Sequence, residues 1–283
     1  MRKLLLAGTA LAFVGPAFAA DMSTPSRAVM PIKAPLVAPL HFSWTGCYIG
    51  GQAGAGWGHK DISEPTEQLF QFFSPPGSPV AVDQNVGFIG GGQIGCDYQF
   101  AANWVVGARG DFSWAHIDGQ ASDPFFTGKN GGPITLTAKT DALASATGRL
   151  GYAWDRAMLY GIGGVAWAHD KYGIQNLPFW GAGTSANFCG PSLPASVPCN
   201  PTGTETRLGW TVGVGVEWAF ADSWSVLFEF NHYDFGTRSV TVTDPNGFSL
   251  GGVVSLSGPV DVKQRIDAVK IGINYRLGMG GRY

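Results

Sequence analysis

From Cys47 onward, apolar and polar positions alternate with a period of two. Cys47, Ile49, Gly51, Ala53, Ala55 and Trp57 share one parity, and Tyr48, Gly50, Gln52, Gly54 and Gly56 the other. Such alternation predicts a strand with one apolar face. It returns seven times. Val86, Phe88, Ile94, Cys96, Tyr98 and Phe100 oppose Gln93, Asp97 and Gln99, and Trp104 to Trp114 opposes Arg109, Asp111 and Ser113. Ala144 to Tyr152 opposes Ser145, Thr147 and Arg149, while Met158 to His169 is apolar on both parities and leaves its facing open. Leu208 to Trp218 opposes Arg207, Thr211 and Glu217, Trp224 to Phe235 opposes Glu229 and Asn231, and Val269 to Leu277 opposes Lys270, Asn274 and Arg276. The pattern therefore predicts eight strands.

The links between them sort by length. Phe100 to Trp104, Ala153 to Ala157 and Phe220 to Trp224 are tight, whereas those near 59–85, 117–140, 171–205 and 236–262 are long and rich in Pro, Gly, Ser and Asn. Strict alternation of short and long turns fits a transmembrane barrel with short periplasmic turns and long outer loops, and closure satisfies every backbone group in lipid. A soluble lipocalin-like barrel would put its apolar residues inside instead. Trp and Tyr at strand ends (Trp57, Tyr98, Trp104, Trp114, Tyr152, Trp167, Trp218, Trp224, Tyr275) favour the membrane form, where they build interfacial girdles.

An aromatic-x-His pattern closes four of the segments: Trp57 with His59, Trp114 with His116, Trp167 with His169 and Phe230 with His232. An Asp follows each histidine closely (Asp61, Asp118, Asp170, Asp234). Each copy ends an outward-running strand, so the eight aromatic and histidine residues mark an outer interfacial girdle, with the aspartates stepping into the loops. All four aromatics are expected at one level, pointing outward. The polar parity carries Asp97, Arg109, Asp111, Arg149, Glu217, Glu229, Lys270 and Arg276, opposite charges that belong in a narrow lumen where each finds a partner. Eight strands leave an interior that side chains fill, unlike the ~16 strands of water-filled porins.

Composition agrees. The chain has 42 Gly and 13% aromatic but only 13% charged residues, about half the charge of a soluble domain. A net charge of −2 excludes a nucleic-acid partner. Met1–Ala19 has a basic start, an apolar stretch and an Ala17-Phe18-Ala19 cleavage site, which predicts a signal peptide. Residues 20–42, with Pro25, Pro31, Pro35 and Pro39, read as an extended periplasmic segment, and residues 43–283 as the barrel domain.

Several motifs resemble a known family. The run from Phe42 to Gly50 (FSWTGCYIG) resembles the opening strand of alphaproteobacterial outer-membrane surface proteins of the OmpA-like β-barrel superfamily. FIGGGQIG at 88–95, WVVG at 104–107, GRLGYAWDR at 148–156, GGVA at 163–166, YDFG at 233–236 and KIGINYR at 270–276 are similar to its later strands. Cys47 and Cys96 stand where that family has aromatics, and the chain continues past its last strand to Tyr283. The resemblance implies an outer-membrane barrel described as porin-like, a structural and surface role, and assembly by the barrel-assembly machinery. It implies no enzymatic activity.

Four cysteines behind an export signal permit disulfides. Cys189 and Cys199 would staple one outer loop; a metal pair is the alternative, but no histidine is near in sequence. Cys47 and Cys96 share an outward parity on neighbouring strands and read either as a cross-strand bridge or as two buried thiols. Histidines spread around a barrel cannot converge on Ser113 or on one metal ion, so neither catalysis nor zinc is expected. The glycine runs at 90–95 and 161–164 open no helix and bind no phosphate.

The sequence thus predicts an all-β, eight-stranded antiparallel up-and-down transmembrane β-barrel in the outer membrane. It is expected to be monomeric, without cofactor, enzymatic activity or peptidoglycan-binding domain, in contact with outer-membrane lipid and lipopolysaccharide. Its expected role is structural and surface-exposed; a narrow pore for small solutes comes second, and adhesion or receptor function through the outer loops third.

Overall fold

The computed structural model describes residues 42–63, 79–127, 133–175, 200–244 and 256–277. The signal sequence, residues 20–41 and the Cys189–Cys199 pair lie outside the described residues. Eight strands follow one another: β1 (Gly46–Ser63), β2 (Val80–Phe100), β3 (Trp104–Thr127), β4 (Pro133–Trp154), β5 (Ala157–Gln175), β6 (Thr202–Ala221), β7 (Trp224–Asp244) and β8 (Leu256–Leu277). Each pairs antiparallel with its sequence neighbours, and β8 closes on β1. The register runs from Ile49 through Ile94, Gly110, Ala146, Val165, Trp210, Asp234 and Arg265 to His59, ten positions beyond its start on β1. That stagger tilts the strands, as barrel closure requires.

The short turns sit together at one end. Residues 101–103, 155–156 and 222–223 join β2–β3, β4–β5 and β6–β7. Ala101, Ala102 and Asp155 have φ of 47°, 65° and 51°, left-handed values that tight hairpins demand and that Gly or Asn would meet more easily. Trp44 folds into this end as a plug. It is fully buried, donates from Nε1 to Asp155 O at 2.9 Å, and accepts at its carbonyl from Arg276 Nη1 at 2.8 Å.

The strands run 18–24 residues, well beyond the ~9–11 that cross a bilayer. The apolar outward stretches are shorter: Ile49–Trp57, Trp104–Trp114, Leu159–Trp167 and Val269–Leu277 span nine, eleven, nine and nine residues. Beyond them the hydrophobic phase inverts. On β8, Val269, Ile271, Ile273 and Tyr275 face out below, whereas Asp261, Lys263, Arg265 and Asp267 take the outward positions above, with Val260, Val262, Ile266 and Ala268 buried inside. A wall facing lipid outside and polar groups inside becomes a wall facing water outside and a dry core inside. The expected loops near 59–85, 117–140, 171–205 and 236–262 are therefore partly strand. Water at the outer surface reverses which face is apolar, and this continues the sheet without keeping the pattern that marked it.

Candidate functional site

Among the described residues, the lumen is the most strongly built polar region. Asp97, Arg109, Asp111, Arg149, Glu217, Glu229, Lys270 and Arg276 all point inward and are at most 7% exposed. Four cations face four carboxylates. At the barrel centre Arg109 donates from Nη1 and Nη2 to Glu229 Oε2 and Oε1 at 2.7 and 2.8 Å. Glu229 also accepts from Tyr160 OH at 2.8 Å and Asn231 Nδ2 at 2.7 Å. Asp111 lies 3.4 Å from Lys270 Nζ, which donates to Tyr233 OH at 2.8 Å. Nearer the plug, Arg149 donates to Glu217 and lies 3.8 Å from Asp97. Arg276 sits 3.4 and 3.5 Å from Asp97 and Glu217 and 4.5 Å above the Trp44 ring. Paired geometry of this kind compensates the desolvation of buried charge.

Above this network the interior alternates by layer. Ile89, Ile117, Leu143, Tyr233, Phe235 and Ile266 belong to an apolar layer. Over it lies a second charged cluster: Lys60 Nζ donates to Asp170 Oδ1 at 2.7 Å, Gln264 Nε2 donates to the same oxygen at 3.0 Å, and Arg207 is 3.5 Å from Oδ2 and 2.7 Å from Glu205. Burial pushes the Lys60 amine below the usual lysine range, against the pull of Asp170. A further apolar layer, including Ile62, Leu136, Ile174, Val240 and Val262, caps the stack. The placement of Asp170 corrects the expectation that it steps into a loop, since β5 continues to Gln175 and turns it inward.

Trp57, Trp114, Trp167 and Phe230 all point outward. They do not share one level. Phe230 pairs with Val214, four residues below Trp210 on β6, and it is Trp210 that meets His232 at 5.7 Å between ring centres. The outer belt on this side is therefore Trp210, and Phe230 is part of the apolar wall. His59, His116, His169 and His232 lie on four different strands and face outward. His59 Nδ1 is 2.5 Å from Asp83 and its Nε2 3.1 Å from Asp61; His169 and His232 pair with Thr206 and Asp267 at 2.9 and 2.7 Å. The Asp83 hydrogen bond raises the His59 pKa. Ser113 points inward and is fully buried, away from every histidine. Among the described residues no group of three or more His, Cys, Asp or Glu is placed to hold a metal.

Cys47 and Cys96 are directly opposed on β1 and β2 and joined by a disulfide. The bond lies on the outward face near the periplasmic aromatics.

A family model described as an outer membrane protein β-barrel domain matches residues 34–276. The chain belongs to this outer-membrane β-barrel family. It is 31% identical to the 31 kDa outer-membrane immunogenic protein of Brucella melitensis, over 98% of this chain and all of that one. It is 24% identical to the 25 kDa outer-membrane immunogenic protein of Brucella abortus, over 98% and 99%. Among solved structures, the outer membrane protease OmpT of Escherichia coli aligns with a TM-score of 0.49 at 9% identity, covering 84% of this chain and 99% of that one. The protein is an integral outer-membrane barrel with a structural and surface role in the envelope.

Proposed function

We propose that the protein is a sealed structural element of the outer membrane, not a pore. The observation that carries this reading is the filled lumen: the Trp44 plug, two charge-paired layers and two apolar layers succeed one another along the axis. A conducting path would need the apolar layers to part and the ion pairs to separate, each pair costing several kcal/mol (about 3–5) to break. Outward histidines on separate strands and an inward Ser113 support a non-enzymatic barrel. The apolar outer wall and its girdles fit a monomer surrounded by lipid, with lipopolysaccharide at the outer rim. The leader at Met1–Ala19 and the apolar final strand fit export followed by insertion by the barrel-assembly machinery.

Deletion in the native host separates this role from permeation. The sealed barrel predicts greater sensitivity to detergent with unchanged uptake of small hydrophilic solutes. Slower uptake in the deletion strain, restored by the wild-type gene, would favour a pore.

A further inference from the structure

Above the membrane, the outer wall of β2–β6 carries a groove of about 560 Å³. Asn85, Gln120, Thr137 and Thr202 offer it neutral hydrogen-bonding groups, and Lys139 and Lys171 offer it charge. The two lysines are directly opposed on β4 and β5, an arrangement that destabilises a sheet unless an anion intervenes. Asp141 meets both, at 3.3 Å from Lys139 and 2.6 Å from Lys171. One carboxylate leaves most of the six ammonium N–H donors unused. Asp118, opposite Lys139, also lines the groove. Both lysine side chains remain about half exposed, at 43% and 56%.

Height identifies the occupant. Lys171 and Gln175 are four and eight positions beyond the interfacial Trp167. At ~3.3 Å per residue and a tilt of ~35–45°, the groove stands roughly 10–20 Å above the aromatic belt. A phospholipid headgroup layer is only about 5–8 Å thick. A ligand held by the membrane must therefore carry a taller headgroup. Hydroxyl-matching amides and hydroxyls beside a lysine pair suit a saccharide bearing phosphate.

We propose that this groove seats the phosphorylated saccharide headgroup of an outer-leaflet glycolipid, with Lys139 and Lys171 on a phosphate and the Asn, Gln and Thr side chains on sugar hydroxyls. The inference deepens the lipid contact proposed above and rests on it.

The test titrates the refolded full-length barrel in neutral detergent with a short-core lipopolysaccharide, with phosphatidylglycerol, and with the acyl-free phosphorylated core saccharide. Wild type is compared with K139A/K171A and with Thr202→Trp, which fills the groove without changing charge. Both alter outward side chains, and heat-dependent gel mobility confirms that each variant folds. The groove predicts at least tenfold weaker lipopolysaccharide binding in both variants, no change toward phosphatidylglycerol, and weak binding of the acyl-free saccharide. Equal lipopolysaccharide affinity in wild type and both variants would overturn the groove while leaving the lipid contact standing. No measurable binding by wild type would overturn both. Acyl-free saccharide binding as tightly as the whole glycolipid would overturn the membrane-held occupant.

Discussion

Glu229 is the most informative side chain to remove. It is fully buried and accepts hydrogen bonds from Arg109, Tyr160 and Asn231. Glu229→Leu strands the Arg109 guanidinium in a dry interior, with Asp111 at 3.9 Å as its nearest remaining carboxylate. Breaking a buried pair costs about 3–5 kcal/mol, and Asp111 places the expectation near the lower value. Arg109→Met leaves Glu229 its two neutral donors and should cost a similar ~3 kcal/mol. In the double variant three cations face three carboxylates again, and an apolar pair replaces the ionic one. Such a swap is often close to neutral, so the double should lie within about 2 kcal/mol of wild type. The coupling energy is then about 4 kcal/mol or more. Urea unfolding in lipid vesicles, followed by tryptophan fluorescence, measures it. With a slope of ~3 kcal/mol per molar, each single variant moves the midpoint down by roughly 1 M. Single effects that add to within about 0.5 kcal/mol in the double would refute the paired lumen.

Three further outcomes follow from other parts of the barrel. Replacing Cys47 and Cys96 by serine releases a loop of 49 residues, which the chain-entropy relation values at about 4 kcal/mol; in the same urea assay nonreduced wild type should exceed the serine variant by that amount, and reduced wild type should match the variant. Ala102→Gly relieves a left-handed alanine and should raise stability by about 1 kcal/mol; a loss of stability would show that the turn is not strained there. The His59 ring, titrated by NMR, should show a midpoint above ~6.5, and Asp83→Asn should bring it down. Because its folded pKa lies above the unfolded value, this contact stabilises fully below ~6.5 and its contribution fades as pH rises through the folded midpoint.

What was legible in the sequence was the part in contact with lipid. Ile271, Ile273 and Tyr275 against Lys270, Asn274 and Arg276 display their faces without ambiguity, because lipid and a polar lumen impose opposite chemistry on one strand. The extracellular half was harder to read. Lys60, Asp170, Arg207 and Gln264 form a buried cluster there; Arg207 reads as part of the polar face of the sixth strand, but Lys60, Asp170 and Gln264 lie beside Pro- and Gly-rich sequence and look like loop. A signal was present: Val260, Val262, Ile266 and Ala268 alternate with Asp261, Lys263, Arg265 and Asp267, the same period in the opposite phase. Inversion of phase beside a tryptophan marks the membrane surface more sharply than the aromatic-x-His motif does. The motif misplaced Phe230, because Trp210 occupies the outer belt beside β7 and pairs there with Asp234, four residues beyond Phe230. The Trp44 plug was also hidden, since only the folded turn at Asp155 gives its indole a partner.

A shut lumen should leave planar bilayers silent: with refolded wild-type barrel at low protein density, the current should be indistinguishable from that of protein-free membrane. Large, stable and reproducible conductance steps would show instead that the barrel holds an open path.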